Sequence, residues 1–77
     1  MELTLAFGRV IRRLRIAKNL TQENLGFEAD LRRTYISSLE LGQKEPSLST
    51  ILKIAKALDM GLSELFLQVE KELGIYR

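Results

Sequence analysis

The chain has 77 residues, 45% hydrophobic and 29% charged, with a formal net charge of +2 and neither cysteine nor histidine. That length suits one domain, whose core is thin unless helices pack efficiently or chains associate, and the apolar content is too high for a disordered polymer. Missing cysteine excludes disulfides and thiolate metal sites; missing histidine removes the commonest member of most metal sites, acid–base pairs and nucleophilic triads.

Apolar residues recur at spacings of three and four, which predicts helices throughout and no strand. Phe7, Ile11, Leu14 and Ala17 form one stripe, giving a first helix from about residue 4 to residue 18, with Thr4 in position to cap it and Asn19 to stop it. Thr21 caps a short second helix, Gln22 to Ala29, with Leu25 and Ala29 facing inward. A third helix runs from Arg32 or Arg33 to Leu41, docked by Ile36 and Leu39 and stopped by Gly42. Residues 43–46 form a loop, because Pro46 blocks helix continuation. Ser47 or Ser49 caps a fourth helix carrying Leu48, Ile51, Leu52, Ile54, Ala55 and Leu58. Asp59-Met60-Gly61 turns the chain into a fifth helix from about Leu62, presenting Leu65, Phe66, Val69 and Leu73. The expected fold is an all-α bundle of five short helices forming a single domain over 1–77.

The stretch from Gln22 to Leu39 carries the chemistry. Two helices that cross closely need a small residue at the approach, which Gly26 supplies. The turn between them needs tolerance of positive φ, which Asp30 provides. With Ile36 and Leu39 docked inward, Arg33, Thr34, Ser37 and Ser38 must face outward. That face is short, polar and basic, as entry into a DNA major groove requires. Charge is skewed to match: residues 1–44 carry eight basic and five acidic side chains, and residues 45–77 carry four and five. Arg9, Arg12 and Arg13 on the first helix read as a solvated face.

Leu-Thr-Gln-Glu-x-Leu from Leu20, Arg-Thr-Tyr-Ile-Ser-x-Leu-Glu-x-Gly from Arg33, Pro46-Ser47-Leu48 and the closing Leu62-Ser63-Glu64-Leu65-Phe66 together resemble the phage-repressor/Cro-type helix-turn-helix domains of the XRE family. Arg-Thr-Tyr-Ile-Ser is especially similar to the controller proteins of restriction–modification systems. The resemblance spans Phe7 to Phe66 and implies a lambda-repressor-like dimer whose third helix reads base edges. It makes Arg33, Thr34, Ser38 and the neighbouring Ser37 candidates for base reading. Arginine suits bidentate bonding to guanine, and threonine offers a hydroxyl or a methyl group. It places Gln22, Thr21, Arg32, Tyr35, Gln43 and Lys44 at the DNA backbone, and it joins Arg15 to Glu40 in a structural ion pair. Two departures from the family pattern stand out: Arg32 occupies an N-cap where Ser, Thr or Asp is usual, costing about 1 kcal/mol, and Asp30 stands in the turn where glycine is common, placing an acidic group near DNA.

The C-terminal segment holds more apolar residues than one short terminal helix needs. Leu62, Phe66, Leu67, Val69 and Leu73 are therefore candidates for a homodimer interface, since two recognition helices must sit about 34 Å apart to reach successive turns of the groove. Residues 74–77 are either frayed or part of that interface. The expected function is a homodimeric, sequence-specific transcriptional regulator acting on double-stranded DNA with a partly palindromic operator. The alternative is an antitoxin or adaptor whose apolar C-terminal face binds a different protein. No catalytic residue, metal or cofactor is expected. No apolar run nears the roughly 20 residues that span a bilayer, and the start Met1-Glu2-Leu3-Thr4 lacks a signal-peptide pattern, so a cytoplasmic location in a bacterial or phage setting is expected.

Overall fold

The structure, a computed structural model, describes residues 1–74. It consists of α1 (Leu3–Ala17), α2 (Gln22–Ala29), α3 (Arg33–Glu40), α4 (Leu48–Ala57) and α5 (Leu62–Leu73), with no strand among the described residues. Of the terminal residues expected to fray or to join an interface, 75–77 lie outside the described residues.

Local chemistry sets each boundary. Glu2, not Thr4, caps α1: its carboxylate accepts from the Thr4 and Leu5 amides at 2.8 and 3.3 Å, so the helix begins one residue before the expected start. Those amide hydrogen bonds hold the Glu2 carboxyl below its ordinary pKa. Asn19 adopts positive φ just past the helix and turns the chain toward α2. Thr21 and Asn24 form a reciprocal capping box, the Asn24 amide donating to the Thr21 hydroxyl at 3.0 Å and the Thr21 amide to the Asn24 side chain at 3.3 Å. Ser47, rather than Ser49, caps α4 through the Thr50 amide at 3.2 Å. The Glu64 carboxylate reaches back to the Gly61 amide at 3.1 Å at the start of α5.

The core lies where α1 packs on α3 and α5, α2 on α3 and α4, and α4 on α5. Phe7, Val10, Ile11, Leu25, Ile36, Leu39, Ile54, Leu58 and Leu65 fill it. Leu14 packs against this cluster half-buried, but Ala17 is exposed and leaves the stripe expected of it; Ala6 and Val10 complete the buried face of α1 instead. Arg13 ties α1 to the far end of α5 through Glu72 at 2.7 Å, an exposed pair worth little by itself.

Candidate nucleic-acid interface

The turn between α2 and α3 is built by close approach. Asp30 ends α2 in the left-handed region at φ 56°, and the Leu31 amide donates to the Gly26 carbonyl at 2.7 Å. A methyl group at Gly26 would stand 2.5 Å from the Leu31 carbonyl oxygen, so only glycine lets the chain pass this near. The next residues enter α3 directly. Arg32 occupies its N-cap and makes no side-chain cap hydrogen bond, leaving the guanidinium exposed.

Burial splits α3 cleanly. Ile36, Leu39 and Glu40 are buried, while Arg33 and Thr34 are exposed beside Arg32. The first turn of α3 therefore offers two guanidinium groups and a hydroxyl on a helix that its inner face holds rigidly. Ser37 and Ser38 are half-buried one turn further along, with the Ser38 carbonyl accepting from the Gln43 amide at 2.9 Å. Tyr35 is half-buried against the core. Gln43 and Lys44 stand exposed in the loop after α3.

Behind this face lies the ion pair. Arg15 from α1 grips Glu40 side-on, Nε to Oε2 at 2.7 Å and Nη2 to Oε1 at 3.0 Å, with side-chain exposures of 12% and 2%. The remaining Arg15 nitrogen, Nη1, donates to the Leu20 carbonyl at 2.9 Å, and Gln22 Nε2 donates to Glu40 Oε1 at 3.1 Å. One buried carboxylate thus joins α1, α2 and α3. Gln22 and Arg33 also line one open depression with Thr21 and Glu23. The Gln22–Glu40 bond connects residues 18 apart and has no local sequence signal.

The apolar surface differs from expectation at several positions. Val69 is buried in the monomer's own core, packed beside Leu65, and cannot belong to a free face. Leu62 and Phe66 are each 38% exposed; Leu67 and Leu73 are half-buried. Leu48 and Leu52 on α4, read from the sequence as helix-face residues, are exposed at 79% and 40%. Ile51, Ile54, Ala55 and Leu58 already fill the inward side of α4, so these leucines are surplus to the core. An apolar pocket floored by Phe7, Ile51 and Val69 opens beside Phe66 and Pro46. Phe27 on α2, 84% exposed, has no role that its sequence position announces.

Among the described residues no cluster of acidic side chains could hold a metal ion, and no helix is long and apolar enough to cross a membrane.

A helix-turn-helix family model matches residues 11–65, which spans all of α2, α3 and α4. Control protein C.BamHI of Bacillus amyloliquefaciens is 53% identical over 55 residues, covering 70% of this chain and 68% of that protein. The restriction–modification controller protein C.AhdI from Aeromonas hydrophila superposes with a TM-score of 0.79 at 48% identity, covering 82% of this chain and 96% of that one. The controller protein C.Esp1396I, solved as a tetramer in complex with its natural 35 base-pair operator, superposes with a TM-score of 0.88 at 30% identity, covering 95% of this chain and 96% of that one. The relatives do not favour the antitoxin or adaptor alternative. On this match the chain belongs to the XRE-type helix-turn-helix family, among the control proteins of restriction–modification systems.

Proposed function

We propose that this protein is a sequence-specific DNA-binding regulator of restriction–modification genes, a homodimer on a partly palindromic operator with no catalytic activity of its own. The observation that carries the reading is the division of α3: a buried face of Ile36, Leu39 and Glu40 against an exposed first turn of Arg33 and Thr34. A helix held so firmly presents its outer side chains at a fixed angle, which is what base-edge recognition requires. Arg33 reads guanine through its paired N–H groups, Thr34 contributes a hydroxyl or a methyl contact, and Ser38 and Ser37 add shorter polar contacts at the half-buried end. Gln22, Thr21, Arg32, Tyr35, Gln43 and Lys44 contact phosphates and set the register without carrying sequence information. The operator complex of C.Esp1396I supports DNA as the partner.

The dimer forms through the apolar surface of α5, from Leu62, Phe66, Leu67 and Leu73, extended by Leu48 and Leu52 of α4. In support, Leu62, Phe66, Leu48 and Leu52 are exposed beyond what the monomer core consumes, with half-buried Leu67 and Leu73 on the same helix as the first two, and α4 packs on α5. The whole chain then acts as one DNA-binding domain whose C-terminal helix pairs it with a second copy. Such a regulator works in the cytoplasm, where its DNA lies.

Selection from a pool of random duplexes tests this reading. The enriched sequences should be two-fold symmetric, with half-site centres about 34 Å apart along the duplex. Enrichment of an asymmetric site, or none at all, would overturn it.

A further inference from the structure

Glu40 is the one polar or charged side chain in the buried set of the described residues, and its hydrogen bonds come from two different helices. Arg15 alone satisfies both carboxylate oxygens through its side-on fork. The bond from Gln22 Nε2 to Oε1 is therefore additional, and it reaches from the interior to a half-buried side chain at the first residue of α2. A carboxylate paired with a guanidinium only accepts hydrogen bonds, so it selects the nitrogen end of the Gln22 amide and turns the carbonyl end away. One amide N–H is thereby committed inward, and the direction of the other follows from the planarity of the group.

That second N–H belongs to a residue on the wall of the depression shared with Arg33. Phosphate oxygens accept but do not donate, so a glutamine meets them only through nitrogen. A free surface glutamine loses rotamer freedom when it docks; one already anchored by a buried carboxylate does not. We infer that Glu40 is a positioning residue for DNA binding: it holds the Gln22 amide so that the remaining N–H meets a backbone phosphate. The Arg15–Glu40 pair then links the packing of α1 on α3 to the grip of α2 on DNA. This rests on the reading of Gln22 as a backbone contact given above.

The test separates positioning from mere stability. Arg15→Met combined with Glu40→Leu replaces the buried pair with apolar groups of similar volume, an exchange that often leaves stability unchanged or higher. The double variant should fold and dimerise, and it should bind selected and random duplexes alike on the order of tenfold more weakly. Gln22→Ala should cost a similar factor in the native background and nothing further in the double variant. Unchanged DNA affinity in the folded double variant, or an equal Gln22→Ala loss in both backgrounds, would overturn the inference. The free native protein gives a second readout should the double variant fail to fold. Of the two side-chain N–H resonances of Gln22, the one bonded to Glu40 should exchange with solvent more slowly than its partner and than those of the exposed Gln43, and equal exchange of the Gln22 pair would also overturn it. If the native protein binds no duplex, the regulator reading fails instead, while the exchange measurement still decides whether Glu40 holds the amide.

Discussion

Gly26→Ala puts the helix-turn-helix geometry under direct strain. The added methyl carbon would lie 2.5 Å from the Leu31 carbonyl oxygen, against an ordinary contact of at least 3.4 Å, so α2 and the following turn must part by about 0.9 Å. The obstacle is backbone, and no side chain can rotate to relieve it. Overpacking of this kind costs about 1–3 kcal/mol, offset by about 0.5–1 kcal/mol from alanine's better helix propensity. The expected net loss is about 0–2.5 kcal/mol, and each 1 kcal/mol lowers the midpoint of a domain this size by about 4–8 °C. The same displacement reaches Arg32 and Arg33, whose backbone atoms would lie 3.5 Å from the added methyl carbon, so specific DNA binding should fall more than non-specific binding. Urea unfolding followed by circular dichroism at one fixed protein concentration measures the stability term, because dimerisation makes the midpoint concentration-dependent. A variant as stable as the native protein, with unaltered operator affinity, would refute the close approach of α2 to the turn.

Other surfaces yield sharper contrasts. Phe27→Ser, at a side chain 84% exposed, should change stability by no more than about 0.5 kcal/mol; a loss above that in the same urea experiment would show that Phe27 packs in solution. Leu62→Glu with Phe66→Glu should convert the dimer to a folded monomer by sedimentation, and operator binding should fall with it; a variant that stays dimeric would move the interface elsewhere. The Glu2 carboxyl has a folded-state pKa below its unfolded value, so its capping contribution is present above the unfolded value and is lost as pH falls through the folded one. Protection of the first-turn amides of α1, taken as their exchange relative to the intrinsic rate at each pH, should therefore fall in acid, and Glu2→Gln should abolish that fall; an unchanged protection profile in the native protein would contradict the capping role.

Helix periodicity made most of the fold legible, because the inward residues of α2 and α3 recur at regular spacing and Thr21, Asp30 and Gly42 punctuate them chemically. Periodicity fails where one apolar stripe serves two purposes. Leu65 and Val69 turn into the monomer while Leu62 and Phe66 stay partly outside, and only the packing of α5 on α1 and α4 separates them. Leu48 and Leu52 were hidden for the same reason, since their place on α4 looks like core until Ile51, Ile54 and Leu58 are seen to fill it. The Glu2 cap was missed because N-cap preferences favour the hydroxyl of Thr4 over a longer carboxylate. In the site, exposure of Arg33 follows from burial of Ile36 and Leu39 on the opposite face. The Gln22–Glu40 bond does not follow from any spacing, since it depends on how α2 sits across the end of α3.

Base reading by the first turn of α3, with phosphates gripped around it, is open to a single comparison. Equilibrium binding to a selected symmetric site and to random duplex, at one salt concentration, is measured for native protein, Arg33→Ala and Lys44→Ala. The native protein should prefer its site by roughly 10³-fold or more. Arg33→Ala should lose about 1–3 kcal/mol on the selected site and relax its specificity, while Lys44→Ala weakens both duplexes about equally. Equal losses on both duplexes for Arg33→Ala, or no loss on either, would contradict base reading by α3.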